Sequence, residues 1–235
     1  MLGNKKGPKR VADSVLVIGL GRFGASVAKS LVDMDKEVLA IDERDDLVQR
    51  WAPEFTHVVQ ADTTDEEVLK QLGVASFDRA VVAIGSDIEA SVLTVLALSE
   101  AGVPEIWAKA ITAKHGKILE RVGADHVVYP ERDMGRRVAH QILGSLEDYI
   151  EFEGYALARI AAPTALWGVP LGKSEVRARH RITIVGIKFK GESFTYADHD
   201  TIPHRGDELI ISGTVRAVEK FSALPHDPPL VGDGS

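Results

Sequence analysis

Short apolar runs recur through the first half of the chain. Residues 15–20 read VLVIGL, and this run passes into Gly21-Arg22-Phe23-Gly24 and then a helical pattern ending near Met34. Further runs follow at 37–41, closed by Asp42, and at 57–60, 79–84, 105–110 and 126–129. Helical stretches separate several of them, at 65–72, 87–101 and 113–122, and Gly102, Pro104 and Gly123 punctuate helix ends. Strand-like runs alternating with helices predict parallel βαβ units. The runs are apolar nearly throughout rather than alternating, as in strands covered on both faces. The pattern predicts an α/β fold of the Rossmann type, a doubly wound parallel sheet.

Beyond Pro130 the period changes. Met134, Val138, Ile142 and Leu146 recur every four residues, with Ala139 and Leu143 beside them, which predicts an amphipathic helix ending near 144–148. Two packings suit its apolar stripe: against its own sheet, the plainer reading, or against a partner subunit. From Glu151 onward, strands are expected at 155–160, 182–188 and 208–212 and a short helix at 215–221, with Gly172, Gly186, Gly191 and Gly206 as turn glycines. This is a small α+β lobe. The expected organisation is a disordered tail at 1–13, a nucleotide-binding domain at 14–150, a C-terminal lobe at 151–224 and a Pro/Gly-rich tail at 225–235.

Bulk composition narrows the function classes. The 235 residues suit two domains, and 45% hydrophobic residues permit a normal core. A formal net charge of -7 argues against a nucleic-acid partner, because neutralising phosphates needs a basic face. The absence of cysteine excludes disulfides, cysteine-ligated zinc and cysteine nucleophiles, and suits a cytoplasmic protein. No apolar run approaches the ~20 residues that span a bilayer, so any action at a membrane requires a partner.

Candidate chemistry centres on Gly19-Leu20-Gly21-Arg22-Phe23-Gly24, a GxGxxG sequence between a strand and a helix, with Asp42 closing the next strand. Gly19 serves the tight turn, Gly21 lets phosphates approach the backbone, and Gly24 lets helix and strand pack closely. The phosphates then meet the helix N-terminus, where unpaired N–H groups and the helix dipole favour anions. Asp42 suits both ribose hydroxyls and repels a 2′-phosphate, which disfavours NADP. The fingerprint does not choose among NAD, ATP, ADP and AMP. Arg22 bears on that choice, because a guanidinium inside the loop forks onto terminal phosphate oxygens.

Other candidates lie at the ends of later strands, where open α/β sheets bind ligands. Asp62 suits either the adenine edge or a helix cap. Ser86, in Gly85-Ser86-Asp87, follows the fourth strand, with Asp87 also a good N-cap. Lys109 ends an otherwise apolar strand and must reach a charge or solvent. Glu131 reads as a helix-start acid beside Pro130, with a metal-ligand role as the alternative. His180, His199 and His204 form no recognisable catalytic order, so the chain reads as a sensor and not an enzyme. An NAD-dependent oxidoreductase is the competing class.

Four segments together, VLVIGLGRFGASVAKSL, EVLAID, FDRAVVAIGSDIEASVLTVLALSEAGVPEIWAKA and GADHVVYPERDMGRRVA, closely resemble the RCK (or KTN) domain of Ktr/Trk-type potassium-uptake regulators. GKSEVRARHRITIVGIKFKG and GDELIISG resemble the RCK C-lobe, so the likeness spans about residues 14–224. The resemblance implies a homodimer assembling into a ring, commonly an octamer, docked on the cytoplasmic face of a membrane potassium-translocating subunit. It implies that ATP and ADP compete for the Rossmann site and that Arg22 approaches the γ-phosphate across the dimer. Lys109 and Glu131 then line the phosphate region, Glu131 taking part in binding Mg2+ or another divalent cation. The helix from Glu131 becomes the family's crossover helix. In some members the C-lobe binds cyclic di-AMP, which here points to Val176, Arg177 and His180. Some Trk-type relatives sense NAD(H) instead.

Overall fold

The computed structural model describes residues 14–142 and 148–226, and the chain divides into two compact units between Glu131 and Arg132. In the first unit, β1 (Ser14–Ile18), β2 (Glu37–Asp42), β3 (His57–Gln60), β4 (Arg79–Val82), β5 (Glu105–Lys109) and β6 (His126–Val128) form a parallel sheet in the order β3-β2-β1-β4-β5-β6. This is the predicted doubly wound sheet. The chain builds outward from β1 to β3, then returns to the other side of β1 to lay down β4. The strand order therefore reverses between β1 and β4, and a crevice opens there above the strand C-termini.

Strand β1 shows why the apolar runs do not alternate. Leu16 and Ile18 join the core under one face, with Val82, Leu98, Ile106 and Leu119. Val15 and Val17 join a second core on the other face, with Ala28, Val38, Ala40 and Phe55. Successive side chains point to opposite faces, and here both faces are buried.

The covering helices are α1 (Arg22–Asp33), α2 (Asp45–Trp51), α3 (Glu66–Gln71), α4 (Ile88–Glu100) and α5 (Ala113–Val122). Asp87 caps α4 as expected, its carboxylate accepting from the Ala90 N–H at 3.0 Å. Helix α2 was not anticipated. It is a seven-residue element with only Val48 buried, too short to display an apolar stripe.

Helix α6 (Pro130–Ile142) begins on its proline, where a missing N–H costs nothing. Its stripe is open: Met134, Val138 and Ile142 are 55%, 40% and 78% exposed. The plainer reading, packing on its own sheet, gains no support from these side chains. Leu143, Leu146 and much of the expected helix end lie outside the described residues.

In the second unit, β7 (Asp148–Phe152), β8 (Tyr155–Ala161), β9 (Thr183–Lys188), β10 (Phe194–Tyr196) and β11 (Glu208–Thr214) form an antiparallel sheet in the order β10-β9-β11-β8-β7. One face packs on α8 (Val215–Ser222) through a core that includes Ala158, Ile160, Leu209, Ile211, Val218 and Phe221. A short helix, α7 (Val176–His180), completes the unit. Strands β7 and β10 escape the sequence pattern: β7 follows directly on the helical stripe, and β10 is three residues long with every one exposed.

Two expectations change. The boundary falls at Glu131/Arg132 and not at 150/151, because most of α6 and all of β7 belong with the second unit. Gly186 is not a turn residue. It lies inside β9, paired with Tyr196 and Ile210 beside a bulge, and a Cβ there would come within 3.0 Å of the Thr195 carbonyl oxygen. A glycine within a strand marks such a close approach. The tail assignments at 1–13 and 227–235 lie outside the described residues, whereas Pro225, assigned to the tail, is held by the Thr164 N–H at 2.9 Å.

Candidate nucleotide-binding site

The loop from β1 to α1 is shaped by its glycines. Gly19 has φ +91°, and its N–H donates to the Ile41 carbonyl at 2.8 Å. A Cβ on Gly24 would land on the Gly19 carbonyl oxygen and 2.9 Å from the Ala83 Cβ, so helix and strand meet here without side chains between them. Gly21 is different. Its φ of -64° suits any residue, and nothing lies within 4 Å of where its Cβ would point. Gly21 is also the N-cap of α1, and no side chain caps that helix. A helix start with open space above it and no capping side chain suits an anionic group.

Asp42 ends β2 and is 8% exposed. Its Oδ2 accepts from the buried Leu20 N–H at 2.6 Å, and its Oδ1 accepts from the Arg44 N–H at 2.9 Å. The carboxylate thus ties the glycine loop to the β2–α2 turn. A carboxylate has about four lone-pair sites, so capacity remains for ribose hydroxyls. The tie itself has no signature in the sequence.

The remaining candidates divide by location. Arg22 is exposed as the first residue of α1, and Phe23 is half-buried behind it. Ser86 is exposed just before the Asp87 cap. Asp62 is exposed past β3 and does not cap α3: its Oδ1 accepts from the Thr64 N–H and hydroxyl at 2.9 and 2.7 Å, bonds that hold its carboxyl below the usual range. Asp65 is the cap, accepting from the N–H groups of Glu67 and Val68. The capping reading of Asp62 therefore falls, because the helix is capped three residues later, by Asp65.

Lys109 finds its charge in Glu131. The ammonium lies 2.6 Å from Glu131 Oε1 and 5.9 Å from the centre of the Phe23 ring. The lysine side chain crosses Gly85, where a Cβ would sit 3.1 Å from Nζ. Glu131 is held below the usual carboxylate range by the Lys109 hydrogen bond first, then by its own backbone, with smaller contributions from the charges of Lys109 and Arg22. Gly19, Gly21, Arg22, Asp42, Ser86, Lys109 and Glu131 thus all sit at the C-terminal edge of the parallel sheet or the helix starts above it. Gly85 was not in the candidate set. Its role depends on a lysine from the neighbouring strand, which spacing along the chain does not reveal. Among the described residues no three His, Asp or Glu side chains gather where they would hold a metal.

The C-lobe candidates do not share one surface. Val176 is 6% exposed and belongs to the core, which removes it from a ligand-facing surface. Arg177 is exposed, its Nη2 donating to the Thr183 hydroxyl at 3.3 Å. The His180 and Phe221 rings pack at a steep angle, with centroids 5.1 Å apart. His199 meets Asp200 at 3.1 Å, both about 80% exposed, and His204 lies 3.9 Å from Asp207. A further feature of this unit was not anticipated: Arg137, Asp148, Arg159, Glu208 and Lys188 form a chain of ion pairs from α6 across the sheet. The Arg137 hydrogen bond is the main reason Asp148 sits below its usual range. For Glu208 burial acts upward, but hydrogen bonds from Lys188 and Arg159 hold it low. On the same open face, a groove of about 290 Å³ is lined by Ile150, Leu157, Arg159, Phe194 and Ile210 among others.

Residues 15–130 match the TrkA-N domain model. Over 207 residues, 87% of this chain and 94% of the relative, the sequence is 44% identical to the Ktr system potassium uptake protein C of Bacillus subtilis (strain 168). The chain belongs to the TrkA-N family of Ktr-type potassium uptake proteins. A second member, the Ktr system potassium uptake protein A of Vibrio alginolyticus, is 36% identical over 211 residues, 89% of this chain and 94% of that protein. Among solved structures, the GsuK channel bound to NAD superposes with a TM-score of 0.60 at 20% identity, covering 97% of this chain and 41% of that one. The isolated GsuK RCK domain gives 0.63 at 20% identity, over 96% and 51%. At that identity the likeness carries the fold, and it spans both units of this Ktr-type chain. Among its described residues no helix is long and apolar enough to cross a membrane.

Proposed function

We propose that this Ktr-type chain is the cytoplasmic regulatory subunit that gates a membrane potassium-translocating partner, switched by ATP against ADP at the glycine loop. The observation that carries the reading is the uncapped start of α1, with Gly21 facing open space and Arg22 exposed at the first helical position. The site offers a phosphate chain backbone N–H groups and a guanidinium, and Asp42 suits the unmodified ribose at the other end. Ser86 and Asp62 border the same edge. Because only ATP presents a γ-phosphate, Arg22 supplies the difference in affinity that a switch between two shapes requires. A magnesium ion here would take one carboxylate, Glu131, and its remaining ligands from phosphate oxygens and water.

Regulation is favoured over catalysis by the scatter of His180, His199 and His204, which lie beside Phe221, Asp200 and Asp207 respectively. A homodimer building into a ring, an octamer in the family pattern, is supported by two apolar surfaces that this chain leaves open. One is the α6 stripe. The other is the C-lobe face, where Ile150, Phe152, Tyr155 and Tyr196 are 51%, 59%, 60% and 90% exposed. Cyclic di-AMP at the C-lobe is retained for Arg177 and His180, with Val176 supporting them from the core. NAD(H) is the second reading. It is favoured by the fold shared with the NAD-bound GsuK channel and by Asp42, which serves the ribose of either ligand.

Calorimetric titration of nucleotide-free protein with ATP, ADP, NADH and cyclic di-AMP, with and without magnesium, tests these assignments. The expected result is ATP and ADP binding with little for NADH, and Arg22→Ala weakening ATP about tenfold while ADP changes less. Equal loss for both nucleotides removes Arg22 from the switch. A preference for NADH moves the chain to the redox-sensing reading.

A further inference from the structure

The Lys109–Glu131 pair joins two side chains of unequal freedom. Lys109 is fixed: its side chain is 12% exposed, crosses Gly85 and lies beside the Phe23 ring. Glu131 is 62% exposed, on the first turn of α6, and also feels the charge of Arg22. A cation and a carboxylate therefore meet near the uncapped start of α1, within the weaker reach of the Arg22 charge. Taking the site as a nucleotide site, the carboxylate already occupies the ammonium that an incoming phosphate would seek. An ammonium is one compact charge, so a carboxylate and a phosphate brought to it together also repel each other.

We propose that Glu131 acts as an intramolecular stand-in for phosphate: it holds Lys109 in the nucleotide-free chain, and the terminal phosphate of a nucleoside polyphosphate competes it away. Glu131 is then a specificity-determining residue that opposes binding when no divalent cation is present. Its release also links occupancy of the site to the first turn of α6. The inference rests on the nucleotide reading above, and it predicts a sign opposite to that of a residue whose sole role is to help hold the ligand.

The test is titration of the full chain with ATP and ADP in buffer containing a chelator. The proteins are the parent, Glu131→Gln, Lys109→Met and the double variant, with Glu131→Ala as a second probe in case the glutamine variant does not fold. Thermal melting confirms folding of each. Removing the carboxylate is expected to tighten ATP about two- to fivefold, the range of a partly exposed ion pair, and ADP by less. Lys109→Met is expected to weaken both nucleotides. In the Lys109→Met background the gain from Glu131→Gln is expected to shrink, because the contested ammonium is gone.

Unchanged or weaker ATP binding by both Glu131 variants overturns the proposal and leaves the nucleotide reading standing. A gain undiminished in the Lys109→Met background also overturns it, since that result is simple charge repulsion and not exchange. Failure of the parent to bind either nucleotide overturns the nucleotide reading itself, and this inference with it.

Discussion

Replacing Asp42 with alanine separates the structural role of this carboxylate from its role toward a ligand. In the ligand-free protein the substitution removes two hydrogen bonds, from Leu20 N–H at 2.6 Å and Arg44 N–H at 2.9 Å. Bonds to a charged acceptor are worth about 1.5–3 kcal/mol each. Water can replace the partly exposed bond to Arg44. It cannot readily reach the first donor, because Leu20 is 1% exposed, and a buried N–H left unsatisfied carries its full desolvation cost. The expected destabilisation is therefore about 3 kcal/mol, the value of one full bond plus part of the second. At about 2–4 °C per kcal/mol for a chain of this size, the melting temperature should fall by about 6–12 °C. Asp42→Asn should fall between parent and alanine, because its amide oxygen keeps one donor while its NH2 faces the other. Scanning calorimetry without nucleotide reads the effect free of any ligand. A drop of less than about 2 °C for Asp42→Ala would mean that the Leu20 N–H finds another acceptor, and the carboxylate does not hold the loop.

The glycines of the loop should separate by kind. Gly24→Ala forces a methyl group onto the Gly19 carbonyl, where backbone cannot yield, and should cost about 1–3 kcal/mol or more in urea denaturation. Gly21→Ala meets nothing within 4 Å and should change stability by less than about 0.5 kcal/mol while weakening nucleotide binding. A stable Gly24→Ala protein, or an unstable Gly21→Ala protein, contradicts the close-packing argument. His115 yields a pH prediction. It is 2% exposed, its Nε2 has no hydrogen-bond partner, and burial pushes its pKa down. The unfolded chain therefore takes up the proton first, near pH ~6.5, so the stability this residue contributes is present above that value and lost as pH falls through the lower folded pKa. Chemical denaturation at about pH 7 and about pH 5 should show a smaller loss for His115→Leu than for the parent. Equal losses would mean that burial does not hold His115 neutral.

Much of the first unit was legible in the sequence because its information is local. A central strand buried on both faces, as β1 is, is apolar nearly throughout, and the six short apolar runs announced six strands whose alternation with helices announced a parallel sheet. The glycine loop and Asp42 were readable for a related reason: tight turning, close packing and ribose recognition impose residue types at near-fixed spacing. Short elements were harder. Helix α2 has one buried residue, and β10 has none, so neither leaves a periodic trace.

What only the tertiary structure decided are the pairings between residues far apart in the chain. Lys109 needed a charge, but which carboxylate supplied it depended on β5 and β6 lying side by side and α6 starting just past β6. Gly186 looked like a turn until antiparallel register set it against Tyr196 and Ile210. Asp62 read as a candidate cap for a helix starting at 65, but α3 starts at Glu66 and Asp65 takes the cap. The chain of charges from Arg137 to Lys188 draws on α6 and four strands that meet only in the folded sheet. Periodicity along a sequence reveals which face of an element is buried. It does not reveal which element lies across from it, because strand order and register arise from the packing of the whole domain.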